Sequence, residues 1–374
     1  MWQPEEEQMN LEPDLLTFNN GSTVDAGSWS RRRRELADTI IPHEYGGMPP
    51  EPEKVDVIRR SRGNIRHWPG IQHLTYEVRT QFSGGKELSL TLSLWTPSGD
   101  GPFPVLLDFD GCWRYFSDDV VQAVLARGNI AASVDRTEAA ADNKDEYRNT
   151  GLYRLFPDAE FGVCPAWAWA VHRCVDALIT LPNVRADAIA ITGHSRGGKT
   201  ALLAGATDER IAITNPNNSG IGGAGLNRLK MDGSEVVASF FRSGNIFWFG
   251  KKYAAHKNRD AELPYDNHYL HALVAPRGLL LTEAYEDHSA NPAGTYAAAR
   301  SAQKVYYLLG KPDAIGWAYR ESGHAHRPED YAALLDFMDR HLHGRELKRD
   351  FQRNLYPVLE DLLHPPESNT SSNS

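Results

Sequence analysis

The sequence has few cysteines and no surplus of positive charge. Only 3 of its 374 residues are cysteines. Cys112, Cys164 and Cys174 lack CxxC spacing and lie in or beside apolar stretches, which favours buried free thiols over a disulfide framework or a zinc site. The formal net charge is −9, with 49 acidic against 40 basic residues. This balance argues against nucleic acid as the main partner, and we expect neither a metal nor another cofactor.

Long apolar runs and a secretory leader are also missing. No apolar stretch approaches the roughly 20 residues that are needed to cross a bilayer, so we expect no membrane partner. The acidic start "MWQPEEEQMNLEPDLL" has no positive segment followed by an apolar run, unlike a signal peptide. A cytoplasmic protein is therefore expected, or a secreted one if a leader preceded this start. Nothing in the sequence indicates the oligomeric state.

What is present is the composition of an ordinary globular protein, 41% hydrophobic and 24% charged. No internal repeat or long linker divides the chain, so we expect one domain over residues 61–345, with an amino-terminal arm over residues 1–60 packed on it. The run "RRRRE" at residues 31–35 is interpreted as the solvated face of a helix and not as a nucleic-acid patch. Residues 346–374 are expected to form a carboxyl-terminal extension whose last ~10 residues are disordered.

Strand-like patterns begin at residue 73. The segments "HLTYEVRT" and "ELSLTLSLWTP" alternate, whereas "FPVLLDFDG" and "NIAASVD" are almost continuously apolar. Alternation suits antiparallel strands with one wet face, and continuous apolar runs suit central parallel strands that are covered on both faces. From residue 165 onward helical patterns alternate with strand patterns, which predicts right-handed crossovers and a parallel sheet. The predicted fold class is therefore α/β, with a mostly parallel central sheet and antiparallel amino-terminal strands.

The stretch "ITGHSRGGKT" carries the pattern G-x-S-x-G between a predicted strand and a predicted helix. In that context the motif forms a nucleophile elbow, in which the serine sits on a strained turn. The helix directs its amino end at the site, so the backbone N–H of Arg196 is placed to donate to an oxyanion. Ser195 is therefore the candidate nucleophile, and the alternative is a helix cap.

A serine hydroxyl needs a base, and the base needs a carboxylate to orient it. His324 follows the last predicted strand and is the candidate base, with His326 as its competitor. Asp287 follows another apolar strand and is the candidate acid. The chain order serine, acid, histidine is that of α/β hydrolases. Glu286 is the runner-up for the acid and Glu283 a further candidate, unless the whole segment is a solvated acidic loop.

The residues around these motifs resemble the glucuronoyl esterases and the related acetyl-xylan-esterase-like α/β hydrolases. The likeness covers most of the chain, from "TFNNGSTVDAGSWSRRRREL" to "SGHAH". It is most specific in "ITGHSRGGKTALLAGATDERIAITNPNNSGIGGAG". This resemblance implies the α/β-hydrolase fold, a three-layer sandwich, and hydrolysis of an ester of a sugar or uronic acid.

The resemblance also implies roles for single residues. Ser195 would be the nucleophile and His324 the base. Arg196 would assist the oxyanion with its guanidinium, which adds a charge that a neutral donor lacks. Lys199 would hold a sugar hydroxyl, the alternative being an ammonium in solvent on the first helical turn. His268, in "PYDNHYLHAL", recurs in the family pattern and is expected to support the substrate site.

Two positions depart from the family pattern. Many members carry the triad acid as a glutamate where this chain has Asn218, and an amide cannot replace that charge. Some relatives carry an acid on the later loop, where Asp287 stands, and Asn218 is kept as a candidate substrate contact. An aromatic residue that stacks on the sugar in several relatives is Ser289 here. Trp248 and Trp113 are candidates to supply stacking from elsewhere, with a core role as the alternative.

The leading hypothesis is a serine carboxylic-ester hydrolase that forms an acyl-enzyme intermediate. Its expected substrate is a small-molecule or oligosaccharide ester in which a sugar or uronic acid takes part. The nearest alternative is a carbohydrate deacetylase of the acetyl xylan esterase type. A catalytically inactive binding protein with the same fold is the alternative from another class, and Asn218 is its main support. A serine peptidase is also conceivable, although no propeller-like repeat of the oligopeptidases is visible.

Overall fold

A nine-stranded sheet runs through the computed structural model, which describes residues 13–112, 116–346 and 349–359. In chain order, strands β1 to β9 span Lys54–Asn64, Gln72–Phe82, Lys86–Thr96, Phe103–Asp108, Ile130–Val134, Val184–His194, Ile211–Asn217, Gly278–Ala284 and Ile315–Arg320. They lie side by side in the order β1-β2-β3-β5-β4-β6-β7-β8-β9.

The sheet changes direction where the sequence pattern changes. Three neighbouring pairs are antiparallel, namely β1–β2, β2–β3 and β3–β5. The other five pairs are parallel, namely β5–β4, β4–β6, β6–β7, β7–β8 and β8–β9. Side chains of β2 alternate between buried and half-buried, whereas β5 and β8 are buried throughout. This arrangement confirms the predicted mostly parallel sheet with antiparallel amino-terminal strands.

Strand β1 was not predicted from the sequence. Its residues "KVDVIRRSRGN" carry five charged side chains among them and are half-buried or exposed throughout. An edge strand of this kind has little contact with a core and therefore shows no clear apolar period. It begins at Lys54, inside the segment that the sequence assigns to the arm.

Helices cover both faces of the sheet and complete three layers. Leu106 and Ala190 point to one face, where they pack in a cluster with side chains of the second and tenth helices. Leu107 and Ile191 point to the other face, into the larger cluster that the remaining long helices cover. Helices α1 to α10 span Trp29–Glu44, Asp118–Ala126, Gly151–Leu155, Val163–Leu178, Arg196–Thr207, Val237–Arg242, Lys251–Ala254, His268–Val274, Pro292–Leu308 and Pro328–His343.

The arginine run near the start of α1 is partly structural. Arg32 is buried and donates to the carbonyl oxygens of Asp14 at 2.8 Å and Leu15 at 3.2 Å, which holds the preceding segment against the helix. Arg33 donates to the carbonyl oxygen of Leu273, at the end of α8, at 3.2 Å. The expectation of a purely solvated face is therefore wrong for these two arginines. Both donate to backbone carbonyl oxygens and so tie α1 to neighbouring segments.

The two ends of the chain can be described in part. Residues 349–359 pack on the body, where Trp317 of β9 donates its indole N–H to the carbonyl oxygen of Arg353 at 2.8 Å. The first 12 residues and the tail expected to be disordered lie outside the described residues. Within the described part of the chain, no helix has both the length and the apolar character that crossing a membrane requires. The division into arm, body and extension stays a prediction.

Candidate active site

Ser195 occupies the sharp turn between β6 and α5. Its backbone angles are φ 57° and ψ −118°, a region that side-chain-bearing residues rarely adopt and that is tolerated where the surroundings enforce it. Two glycines make the turn possible. A Cβ at Gly193 would collide with the carbonyl oxygen of Gly197, and one at Gly197 would collide with the carboxylate of Asp110. The predicted strand, turn and helix around the serine are therefore all present.

The structure brings the three candidate triad residues together at the carboxyl ends of the parallel strands. The Nε2 atom of His324 lies 2.9 Å from the Oγ of Ser195. Its Nδ1 atom lies 2.6 Å from the Oδ2 of Asp287. His326, the competitor for the role of base, is buried and stacks on Tyr331 with 4.0 Å between the ring centroids. Since one imidazole connects the serine to a carboxylate, the arrangement has the geometry of an acyl-transfer triad.

Asp287 is the carboxylate among the three candidates that reaches His324. Glu286 is exposed, and Glu283 is buried with its Oε1 accepting from the hydroxyl of Thr295 at 3.2 Å. Burial by itself raises the pKa of Asp287, but the hydrogen bonds from His324, Ser289 and Asn218 outweigh it and hold the pKa below its ordinary value of 3.8. Asp287 is therefore charged at neutral pH, as the orienting member of a triad must be.

The hydroxyl of Ser195 opens into a cavity of about 750 Å³. This volume lies within the usual range of about 300 to 1,000 Å³ for small-molecule sites. Most of the lining residues are polar or charged and can hydrogen-bond to a substrate rich in hydroxyl groups. The lining residues are Cys112, Thr137, Ala141, Asp142, Asn143, Glu146, His194, Ser195, Arg196, His324 and Ala325.

Arg196 lies at the cavity wall and is held on two sides. Its Nη1 atom donates to the Oδ2 of Asp142 at 2.9 Å, and its guanidinium lies 4.7 Å from the centre of the Trp248 ring. Because Arg196 is the first residue of α5, its backbone N–H has no acceptor within the helix and faces the turn. Arg196 and Ser195 line the same cavity, and the role of Arg196 toward an oxyanion stays a prediction.

Trp248 supports Arg196 instead of offering a stacking face. It is buried, its ring is covered by the guanidinium, and its Nε1 donates to the Oδ1 of Asp142 at 3.1 Å. The prediction that Trp248 stacks on the sugar is therefore not supported by its position, since it is absent from the cavity wall. Trp113, the other tryptophan considered, lies outside the described residues.

Lys199 is neither solvated nor directed into the cavity. Its buried Nζ donates to the carbonyl oxygens of Ser219 at 2.6 Å and Ile221 at 2.7 Å, and to the Oε2 of Glu235 at 3.2 Å. The alternative of an ammonium in solvent is wrong. All three of its protons have an acceptor, so a bond to a sugar hydroxyl requires the exchange of one of them. That role stays a prediction.

The other two residues expected to contact substrate lie elsewhere. His268, at the start of α8, is buried and its Nε2 lies 2.9 Å from the carbonyl oxygen of Pro13, so it joins the helix to the arm and not to the cavity. Asn218 follows β7, is buried, and donates from its Nδ2 to the Oδ2 of Asp287 at 2.7 Å. It therefore lies behind the triad acid, where it does not line the cavity.

Three charged residues at the site were missed by the sequence interpretation. Asp110, after β4, accepts from the backbone N–H of His194 at 2.7 Å and forms an ion pair with the buried Arg136. Arg136 in turn lies 3.5 Å from Asp142, the partner of Arg196. Alternating charges thus connect the elbow to the cavity wall. The only signal in the sequence is the position of Asp110 directly after a strand pattern, in "DFDG".

Within the residues that the structure describes, no cluster of three or more histidine, cysteine and acidic side chains is arranged to hold a metal ion. The three cysteines are unpaired, and Cys164 and Cys174 are buried. Burial raises the pKa of the Cys112 thiol at the cavity wall to about 12. Cys112 is therefore a neutral thiol near neutral pH and does not compete with Ser195 as a nucleophile.

Comparison with known proteins places these features in one family. The family model described as "Glucuronyl esterase, fungi" matches residues 80–310. The 4-O-methyl-glucuronoyl methylesterase of Schizophyllum commune is 31% identical over 355 residues, which cover 91% of this chain and 84% of that protein.

Solved structures show the same similarity. A carbohydrate esterase family 15 glucuronoyl esterase from Caldicellulosiruptor kristjansonii superposes with a TM-score of 0.79 at 31% identity, covering 93% of this chain and 95% of that one. A mutant glucuronoyl esterase from Sporotrichum thermophile, solved with methyl 4-O-methyl-β-D-glucopyranuronate, gives a TM-score of 0.74 at 25% identity and 94% coverage of both chains. The second structure contains a uronate methyl ester.

Proposed function

The chain belongs to the glucuronoyl esterase family, and from this membership and the geometry of its site we propose that it hydrolyses esters of glucuronic acid through an acyl-enzyme on Ser195. One observation carries the proposal. His324 lies 2.9 Å from the Oγ of Ser195 and 2.6 Å from Asp287, so a base is in place to take the serine proton.

Acylation begins when the Oγ of Ser195 attacks the ester carbonyl and His324 accepts its proton. The carbonyl oxygen becomes an oxyanion, which the backbone N–H and guanidinium of Arg196 stabilise. When the tetrahedral intermediate collapses, the bond to the alcohol oxygen breaks and His324 returns the proton to that oxygen. Asp287 keeps the Nδ1 proton of His324 in place and stabilises the imidazolium during both transfers.

Deacylation repeats these steps with water as the nucleophile. His324 takes a proton from a water molecule, the resulting hydroxide attacks the acyl carbon, and the Oγ of Ser195 leaves with the proton that His324 returns. The products are the alcohol released in the first half and a uronic acid in the second. The residues of this chain supply the nucleophile, the base and the oxyanion donors.

The uronate part of the proposal rests on the relatives. They are named 4-O-methyl-glucuronoyl methylesterases, and one solved relative binds the methyl ester of such a uronate. A cavity of about 750 Å³, lined mostly by polar and charged residues, accommodates a monosaccharide ester. Uronate esters of cell-wall polysaccharides are extracellular, so the secreted location suits this activity better than the cytoplasmic one.

A deacetylase of acetylated sugars is the second candidate. Ser289 favours it, because this chain has a small side chain where several relatives place an aromatic residue on the uronate ring. In that reaction the sugar carries the alcohol and the acyl group is acetyl. The same triad would serve both reactions, so the distinction lies in how the acyl group is bound.

Two methyl esters separate these candidates, because they share the leaving group and differ only in the acyl group. We expect kcat/KM for methyl 4-O-methyl-glucuronate to exceed that for methyl acetate by about 100-fold, since a site with polar groups for the sugar rejects an acyl group that leaves them unpaired. Methanol release is measured for both, with acetate release from acetylated xylan in parallel. Faster turnover of acetylated xylan would identify a deacetylase, and no turnover of any ester would refute the proposed function.

A further inference from the structure

Asn218 holds the place behind Asp287 and touches the triad acid directly. We infer that Asn218 is a positioning residue of the reaction, whose amide N–H fixes Asp287 in the orientation that serves His324. The inference rests on the proposed serine-esterase activity. Its starting observation is the 2.7 Å bond from the Nδ2 of Asn218 to the Oδ2 of Asp287, the same oxygen that His324 contacts at 2.6 Å.

The backbone of residue 218 is held in place by the neighbouring strand β8. Asn218 follows the last residue of β7, has φ 43°, and donates its backbone N–H to the carbonyl oxygen of Thr282 in β8 at 3.0 Å. Asparagine adopts this left-handed region more readily than most residues. Because β7 and β8 are neighbours in the sheet, the bond ties position 218 to the strand that leads to Asp287.

The direction of the amide is set by Arg320. The Oδ1 of Asn218 faces the Nη2 of Arg320 at 3.4 Å, so its N–H group must point the other way, toward Asp287. Arg320 is itself fixed by the carboxylate of Asp330, which it meets at 2.9 and 3.0 Å. Asn218 can therefore act on Asp287 only as a donor.

Arg320 also reaches the loop that carries the base. It donates to the carbonyl oxygen of Gly323 at 3.2 Å and to that of Ala325, the two neighbours of His324. One guanidinium thus holds the backbone on both sides of the base and orients the amide behind the acid. The hydroxyl of Ser289 completes the support with a 2.8 Å bond to the Oδ1 of Asp287.

The charge at position 218 matters because acidic groups already surround it. A carboxylate there would face Asp287 across the present 2.7 Å bond, and two like charges at that distance favour uptake of a proton. A neutral donor avoids this repulsion and leaves Asp287 charged. The titratable and charged groups around Asn218 and the pair of Asp287 and His324 are Glu283 on β8, Arg320 on β9, Asp330 on α10 and His194 on β6, whose ring centroid lies 4.7 Å from that of His324.

The test replaces Asn218 by Asp, which keeps the shape and adds a charge, and by Ala, which removes the donor. In Asn218→Asp the Asp287 and His324 pair holds its proton more tightly, so the acid limb of kcat/KM moves up by about one pH unit or more. In Asn218→Ala we expect kcat to fall by about tenfold to hundredfold with KM within threefold, as for a lost bond to a charged group. Asn129→Ala is the control and should change neither value, because this buried asparagine directly precedes β5 and lies at the amino ends of the parallel strands, whereas the triad lies at their carboxyl ends.

A second readout separates this inference from the proposed substrate. The rate at which a fluorophosphonate modifies Ser195 is measured against pH in all variants, because that rate reports activation of the serine without any sugar ester. A wild type that reacts with the probe but not with glucuronate esters would refute the proposed substrate alone. Unchanged pH profiles and probe rates in both Asn218 variants, or a rise in KM with kcat unchanged, would refute the positioning role. Circular dichroism and thermal melting show whether each variant is folded. If Asn218→Asp does not fold, Asn218→Ser is measured in its place.

Discussion

Changing Ser195 to alanine is expected to lower kcat for the glucuronate ester by about 10⁶-fold, the loss typical of a serine hydrolase without its nucleophile. The hydroxyl is the only group that this change removes. The backbone at φ 57° and ψ −118° is no more strained with alanine than with serine, so the fold should be kept. Residual turnover would come from the oxyanion donors and from binding alone.

The measurement is methanol release from methyl 4-O-methyl-glucuronate by both proteins, with enough enzyme to detect slow turnover. Ser61→Ala, at an exposed serine on β1, is the matched control and should retain full activity. Thermal melting of the two variants shows whether either has lost its fold. A folded Ser195→Ala protein that keeps more than a tenth of the wild-type rate would contradict a covalent mechanism at this residue.

Changing Asp287 to asparagine is expected to lower kcat by about 10⁴-fold, as the corresponding change does in serine proteases. An amide N–H at this position favours the imidazole tautomer that carries its proton on Nε2, the atom that must accept from Ser195. It also removes the charge that stabilises the imidazolium. Both effects act on a bond that is 2.6 Å long in the structure.

Glu286→Gln is the control for that experiment, because Glu286 precedes Asp287 and its side chain is exposed. Its kcat should stay within twofold of the wild type. The pair of variants is assayed at several pH values, so that a shift in the pH optimum is not mistaken for a loss of activity. Loss of activity in Glu286→Gln, together with an active Asp287→Asn, would move the role of the acid to the neighbouring residue.

Much of the fold could be predicted because its strands have distinct apolar patterns. Alternation in β2 and β3 and continuous apolar runs in β4, β5 and β8 identified the antiparallel and parallel parts of the sheet. Strand β1 was not predicted because its side chains are half-buried or exposed and many carry charges, so its sequence shows no apolar periodicity. Arg32 escaped for a related reason, since only its carbonyl partners reveal that this arginine is buried.

The site was predictable as far as chain order and local context extend. Ser195, Asp287 and His324 each follow a strand in the order that the fold requires, and the structure brings their side chains within hydrogen-bond distance. Lys199 and His268 could not be placed in this way. Their partners, such as Ile221 and Pro13, are distant in sequence, and nothing local indicates which carbonyl oxygen will lie beside a buried amine or ring.

The sequence predicted where Arg196 lies but not how its side chain is oriented. Its place beside the nucleophile follows from the motif, but its orientation depends on Asp142 and Trp248, which come from two other segments. Trp248 was a candidate to replace the stacking residue that is missing at Ser289, with a core role as the alternative. Only the folded chain shows that the guanidinium already covers that ring.

The central claim is that His324 and Asp287 make the hydroxyl of Ser195 nucleophilic. It is tested most directly by treating the purified protein with a fluorophosphonate at neutral pH and measuring its intact mass, followed by peptide mapping. We predict the addition of one phosphonyl group, located on Ser195 and absent or greatly slowed in His324→Ala. A folded wild-type protein that stays unmodified, or that is modified at another residue, would contradict the account.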